Sequence, residues 1–135
     1  HCTGEALYTD DIPLPPGTLQ AALIMTDRCG VSFDAMDTSA ALAIPGVAGI
    51  FTYDDIVKLG GSNKLGPVVK DETVFLPKGE MVKTVGQVLG VVVAESLESA
   101  ELAARTVAVT YGEATGKIIV TVEDAIEAGS FYDFA

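Results

Sequence analysis

The sequence predicts an α+β fold, with a mixed β-sheet and two or three short helices, in a single domain that spans residues 1–135. Strand-like and helix-like segments intermix without a regular βαβ cadence, and this favours α+β. The clearest signal is the unbroken apolar run Val88–Ala94, which predicts a strand buried on both faces. The pattern then changes to a helical period and returns to strand-like alternation over 107–111, so the segment 82–111 forms one strong structural unit.

The first part of the chain begins with a proline-rich segment, 1–17, which is expected to lie extended across other elements because proline excludes regular structure. The run 19–25, apolar except for Gln20, predicts a buried strand with neighbours on both edges. Asp37 and the two hydroxyl residues after it predict a helix start, since their side chains accept hydrogen bonds from a first turn. The other elements predicted here are a half-buried strand over 31–36, a helix over 40–44, a strand over 47–52 and a helical turn at 54–56.

The second part of the chain contains a loop and the central helix. The glycine-rich stretch 60–67 predicts the loop. In the central helix Ser96 is the predicted N-cap, and the residues that recur at helical spacing are Leu97, Ala100, Ala104 and Val107. The remaining elements are a short strand over 74–76, a turn over 77–80, an edge strand over 117–120 and a helix from Thr121 through Ala128 that Gly129 stops.

Charge and hydropathy exclude some classes of partner. Nineteen acidic residues against eight basic ones give a net charge of -11, which repels nucleic acid and anionic membrane surfaces. No apolar run approaches the ~20 residues of a membrane-spanning helix. Hydrophobic residues make up 49% of the chain and the mean hydropathy is +0.40, so we expect another surface to cover part of the domain.

The sequence offers few groups for catalysis. His1 is the only histidine and stands at the terminus, where side chains are seldom held in place. His1, Cys2 and Cys29 are the candidate zinc ligands, and three are too few for a zinc site. Two cysteines are also too few for a disulfide framework. Adjacent carboxylates fit turns and helix starts better than an acid–base pair, and no phosphate-binding glycine loop is present. The residues alone therefore predict a domain without an active site.

A series of short motifs carries a resemblance to a known family. The motifs are GEALYTDDIP at 4–13, Asp37 with Thr38, PGV at 45–47 with Thr52 and Asp55, GSN at 61–63, DETVF at 71–75, VGQ at 85–87, GVVVAE at 90–95, AAR at 103–105, VEDAI at 122–126 and SFY at 130–132. Each is weak alone. In register over nearly the whole chain, they resemble the α/β-hammerhead domain of the xanthine dehydrogenase and aldehyde oxidase family.

The resemblance implies a domain of a molybdenum hydroxylase, an oxidoreductase acting on purines or aldehydes. Xanthine dehydrogenase is the expected parent and aldehyde oxidase the alternative. The family's molybdopterin, 2Fe–2S clusters and FAD are bound by other domains, so no catalytic, cofactor-binding or metal-binding residue is expected here, and the isolated chain is expected to be inactive. The expected partners are those other domains, in a homodimeric enzyme of purine catabolism in the cytoplasm, with the peroxisome as the alternative compartment. A chain that starts at His1 without Met fits a fragment.

One functional contribution is implied by the same resemblance. In animal xanthine dehydrogenases the apolar residues just after G-S-N-x-x-G line the passage to the molybdenum, and Pro67 and Val68 occupy those places here. They replace a larger Leu-Phe type pair and Val69 is inserted beside them, so an ordinary surface loop is the alternative. The chain also departs from the family at 28–31, which lacks a histidine, and at 111–115, which lacks a proline.

A non-enzymatic carrier module is the competing class of protein, because hammerhead topology also occurs in lipoyl and biotinyl domains. A carrier needs an exposed lysine on a hairpin turn, and the candidates are Lys78 and Lys117. The usual sequence context of a carrier lysine is missing around both, which favours the hydroxylase.

Overall fold

The computed structural model describes residues 1–69, 72–114, 116 and 118–131. The strands are β1 (Gln20–Met25), β2 (Val31–Asp37), β3 (Val47–Thr52), β4 (Lys64–Leu65), β5 (Glu72–Thr73), β6 (Met81–Val82), β7 (Val88–Ala94) and β8 (Ala108–Ala114). The α-helices are α1 (Ser39–Leu42), α2 (Tyr53–Lys58), α3 (Leu97–Thr106) and α4 (Val122–Glu127). The α+β class is confirmed, with four helices in the described residues instead of two or three. None of these helices is long and apolar enough to cross a bilayer.

β7 is the centre of the first sheet, as the apolar run predicts. It pairs antiparallel with β1 on one edge and with β3 on the other. Leu89 and Val92 are almost fully buried, whereas Val91 and Val93 are half-buried. The register of β1 shifts opposite Leu89, so a β-bulge turns that side chain into the core.

The prediction for β1 is right about the strand and wrong about its surroundings. Among the described residues β1 pairs with β7 alone, so it is an edge strand. Ile24 is buried, but Leu23 and Met25 are 50% and 54% exposed. A continuous apolar run shows only that both faces avoid water, and it leaves open whether this chain or another surface covers them.

The second sheet has the order β6-β2-β8, and β4 and β5 form a separate two-stranded hairpin. The half-buried strand over 31–36 is confirmed, with Val31 and Phe33 in the core. β8 extends to Ala114, beyond the predicted 107–111. Every described strand pair is antiparallel. The described strands thus form three sheets, because most of them pair with strands that are distant in the sequence, which the sequence pattern does not specify.

α3 packs on the inner face of the first sheet. The Ser96 hydroxyl accepts a hydrogen bond from the Ser99 amide at 3.1 Å, which confirms the predicted N-cap. The fully buried helix residues are Ala100 and Ala103, whose small side chains allow a close approach to β1 and β7. Leu97 was expected on this face but is 51% exposed, because the first helical residue lies outside the phase that these two alanines define.

Three element predictions are wrong. Residues 74–76 form no strand, since β5 ends at Thr73. Residues 118–120 form no strand either, and Ile118 instead lies against the turn at Gly30; Lys117 lies outside the described residues. The first 17 residues are predicted to lie extended and without regular structure across other elements, whereas they include a 3-10 turn, Thr9–Asp11, and are almost all exposed.

Candidate functional site

An open cleft of about 880 Å³ lies between the β4–β5 hairpin and the loop that precedes β7. Two motifs of the sequence analysis contribute to the lining, with Asn63 from GSN at 61–63 and Gly86 and Gln87 from VGQ at 85–87. The lining residues are Tyr53, Asn63, Lys64, Glu72, Thr73, Val74, Leu76, Pro77, Glu80, Met81, Lys83, Thr84, Gly86, Gln87 and Val88.

Asn63 shapes the first wall through its side chain. Its amide nitrogen donates to the carbonyl of Phe75 at 2.8 Å, and its amide oxygen accepts from the backbone N–H of Phe75 at 2.9 Å. The Asn63 side chain thereby satisfies both backbone groups as a neighbouring strand would. The segment 74–76 therefore has the composition of a strand and yet forms a loop, because the Asn63 side chain makes the hydrogen bonds to Phe75 that a neighbouring strand would make.

Thr26 holds the loop that contributes Thr84, Gly86 and Gln87 to the cleft lining. Thr26 is 3% exposed and makes four hydrogen bonds to the loop. Its amide donates to the Gln87 carbonyl and its carbonyl accepts from Gly86, at 2.9 and 2.8 Å. Its hydroxyl donates to the Thr84 carbonyl at 3.2 Å and accepts from the Gln87 amide at 3.0 Å. Buried polar groups that are fully paired in this way hold a loop in one conformation.

The Gln87 side chain closes the same loop from the other side. Its oxygen accepts from the backbone N–H groups of Lys83 and Thr84, at 2.6 and 3.3 Å. Gly86 has φ of +87°, a conformation that favours glycine and explains its place in the VGQ motif. Sequence reasoning identified the motif but missed Thr26, which only follows an apolar run and shows no pattern of its own.

The charges of the cleft lining are mixed, with Lys64 and Lys83 balanced by Glu72 and Glu80. The described residues contain no cluster of three or more His, Cys, Asp or Glu that could hold a metal ion. Within them, His1 lies at the exposed terminus, where its ring contacts Tyr8. The described lining of the cleft therefore offers equal numbers of acidic and basic side chains and no such metal-binding cluster.

Pro67 and Val68 lie in the connection after β4 and are not part of the cleft lining. Both residues are exposed, and the exposed fraction of Val68 reaches 91%. The neighbouring Val69 is 64% exposed. A run of apolar side chains that no described residue covers is typical of a segment that faces another surface.

The two departures from the family pattern are close together in the structure. The Arg28 guanidinium lies over the Tyr111 ring, 5.5 Å from its centroid, and the Tyr111 hydroxyl accepts a hydrogen bond from the Asp27 amide at 3.2 Å. Burial raises the pKa of Tyr111 above its usual range. Next to it, a Cβ on Gly112 would stand 2.2 Å from the Ser32 hydroxyl, so the glycine makes room for that side chain.

The candidate carrier lysine does not lie on a carrier-type hairpin. Lys78 is exposed in the predicted turn, but the strands on either side are not partners, since β5 pairs with β4 and β6 pairs with β2. The turn is instead tied to Phe33, whose carbonyl accepts from Gly79 at 2.7 Å and whose amide donates to the Glu80 carbonyl at 3.0 Å. Lys117 lies outside the described residues.

Fold and cleft together define a scaffold domain of the α/β-hammerhead class. The sequence profile of the aldehyde oxidase and xanthine dehydrogenase a/b hammerhead domain matches residues 3–115. The chain is 42% identical to xanthine dehydrogenase of Oryza sativa subsp. japonica over 130 residues, which is 96% of this chain and 9% of that protein. It is 39% identical to xanthine dehydrogenase/oxidase of Mus musculus over 132 residues, 98% of this chain and 9% of that protein.

Solved structures show the same fold. The copper- and molybdenum-containing CO dehydrogenase superimposes with a TM-score of 0.75 at 27% identity, over 92% of this chain and 15% of that one. The chain belongs to the aldehyde oxidase and xanthine dehydrogenase family and corresponds to its hammerhead domain. It spans about a tenth of the length of the curated relatives that it matches. Family membership overturns the carrier alternative.

Proposed function

We propose that this chain is the hammerhead domain of a xanthine dehydrogenase-type molybdenum hydroxylase, an oxidoreductase that hydroxylates a purine. The observation that carries the proposal is 42% identity over 96% of the chain to a protein named xanthine dehydrogenase. The cleft supports it, because residues of the two family motifs GSN and VGQ, Asn63 with Gly86 and Gln87, contribute to its lining. An aldehyde-oxidising parent is the second candidate, since the family profile covers both activities.

The role of the domain is structural. The molybdopterin, 2Fe–2S clusters and FAD of the parent would supply the hydroxylation and electron transfer when bound. The chain does not fit an iron–sulfur cluster, because such a cluster takes four cysteine thiolates and the chain has only Cys2 and Cys29. Other domains of the enzyme would hold these groups, and this chain would hold the walls of the cleft in place.

Pro67 and Val68 would line the route of the substrate to the reacting centre. Their high exposure supports this role. The chain carries a net charge of −11 and has many charged residues for its surface, so exposed apolar side chains in a loop indicate a surface that something else covers. Val68 would then contact the substrate or its route and influence which substrate is accepted. The parent would be a homodimer in the cytoplasm, with the peroxisome as the alternative compartment.

The proposal is tested on the full-length polypeptide that contains this chain. We expect purified protein to contain molybdenum and iron and to oxidise xanthine faster than a simple aldehyde, whereas the separate 135-residue chain binds no stoichiometric metal. A preference for aldehydes would favour the second candidate. A stoichiometric metal in the separate chain would contradict the scaffold role.

A substitution pair tests the lining role. Val68→Phe restores a large side chain at the route, and we expect kcat/KM for the purine to change about tenfold, since a change of hydrophobic contact is worth ~1–3 kcal/mol. Val120→Phe is the control, because Val120 is also highly exposed, at 80%, and belongs to the connection between β8 and α4, not to the connection after β4. Equal kinetics for the two variants would show that 67–68 is an ordinary surface loop.

A further inference from the structure

The first sheet has an outer face, turned away from α3, that carries no polar side chain. Leu23, Val91 and Phe51 stand directly opposite one another across β1, β7 and β3, and residues in such a register share a face. The complete outer face consists of Ala21, Leu23, Met25, Gly49, Phe51, Val88, Val91 and Val93.

This outer face is open to solvent. Leu23, Met25 and Phe51 are 50%, 54% and 48% exposed, although 20% of the chain is charged and many charged residues are available for a surface. An antiparallel sheet with a solvated face normally alternates apolar and polar residues, and β7 does not. A contiguous exposed apolar face therefore indicates a surface that another protein surface covers permanently.

Charge and length identify the occupant. A second copy would bring two chains of net charge -11 against each other, and the like charges around the faces would oppose the contact. The curated relatives are about ten times longer than the region they share with this chain, so most of such an enzyme is polypeptide outside this chain. That remaining polypeptide is tethered to the domain, which gives it a high effective concentration at the face.

We propose that the outer face of the first sheet is a permanent docking surface for an apolar surface of the same enzyme's remaining polypeptide. The inference rests on the proposed function in that it takes this chain to be one domain of a larger enzyme. The contacting surface is rich in aliphatic or aromatic side chains and poor in charge, because the outer face offers no partner to a buried charge. The first sheet thus packs α3 on one face and the rest of the enzyme on the other.

Hydroxyl-radical footprinting of the full-length enzyme tests this directly. Leu23 on the outer face is compared with Leu97 and Leu102 on α3, which have the same side chain and nearly the same exposure, 51% and 50%. We expect Leu23 to be labelled on the order of tenfold more slowly than the two controls, because the cores of stable interfaces pack as densely as protein interiors. Comparable labelling of the three leucines would overturn the proposal. So would protection of Leu23 that disappears when the enzyme is diluted to monomers, because that result identifies a second copy as the occupant.

A pair of variants provides an independent readout. Leu23→Lys places a charge in the docked surface, and Leu102→Lys places the same charge at an equally exposed control position. We expect only Leu23→Lys to lower the thermal midpoint of the full-length enzyme. Equal thermal midpoints for the two folded variants would overturn the proposal. Molybdenum content and xanthine oxidation are measured on the wild type in parallel. If Leu23 is protected but the enzyme contains no molybdenum and does not oxidise xanthine, the proposed function is refuted and the docking surface is still supported.

Discussion

Gly90 provides the sharpest test of how this fold is packed. It lies in the central strand β7, opposite Ile24 of β1 and Thr52 of β3. A Cβ at this position would stand 2.7 Å from the carbonyl oxygen of Phe51, with Thr52 Cγ2 at 3.4 Å and Ile24 Cδ1 at 3.6 Å. The nearest atom belongs to the backbone, so no rotamer change relieves the contact. Gly90→Ala therefore forces β3 away from β7.

We expect Gly90→Ala to lower the free energy of unfolding by ~1–3 kcal/mol, the range for overpacking in a dense core. The matched control is Gly49→Ala, in the neighbouring strand and also paired with β7, where an added Cβ meets only the Phe51 ring at 3.5 Å, an ordinary contact. Neither glycine has a positive φ, so backbone strain does not enter the comparison. Alanine at Gly49 removes some conformational freedom from the unfolded chain, and we expect a gain of about 0.4–1 kcal/mol.

Urea unfolding followed by far-UV circular dichroism measures both variants against the wild type. With a slope of ~1–3 kcal/mol per molar urea, the two variants differ by about 1 M in midpoint. Equal midpoints for Gly90→Ala and Gly49→Ala would refute the close approach of β3 to β7. A change in slope would instead report an altered unfolded state.

Three further perturbations concern the cleft walls and acid stability. Thr26→Val removes a buried hydroxyl that bonds the loop, so we expect the free energy of unfolding, measured in urea, to fall by ~1–3 kcal/mol. Thr18→Val removes an exposed hydroxyl and should change the free energy of unfolding little. Similar losses in the two variants would contradict the buried network. Asn63→Ala removes both bonds to Phe75, and hydrogen exchange at the Phe75 amide should become faster; unchanged exchange would contradict the clamp. The backbone hydrogen bond from Thr52, aided by Lys58, lowers the pKa of Asp55 below its ordinary 3.8, so its contribution to stability is present above that value and is lost as the pH falls through the folded pKa. Asp55→Asn should reduce the loss of stability on acidification, measured by unfolding midpoints across that range, and an unchanged acid profile would contradict this contribution.

Elements whose cause is local were predictable from the sequence. The N-cap at Ser96, the helix start at Thr121 and the stop at Gly129 depend on neighbours within a few residues, and all three are as expected. β7 was predictable as a strand for a related reason, since its unbroken apolar run is typical of a central strand, although Val91 and Val93 on its outer face are only half-buried within this chain. The family motifs were likewise visible as short strings.

Features whose cause is a distant residue were not predictable. The segment 74–76 has a strand-like composition, but Asn63 occupies the place of its partner strand from 12 residues away. Thr26 contacts a loop about 60 residues further along the chain, and nothing in its immediate sequence marks it as buried. The candidate site was therefore only partly predictable, because its motifs were visible in the sequence and Thr26, the buried residue that holds the VGQ loop, was not.

The sequence by itself determined the α+β class, the central buried strand, the helix caps and the family, because composition, periodicity and local hydrogen bonding carry that information. Only the tertiary structure decided which apolar residues this chain buries for itself. Leu23 and Ile24 are equally apolar neighbours in one run, yet Ile24 is 2% exposed and Leu23 50%. The pleat turns them to opposite faces of the sheet, and α3 covers only the inner one.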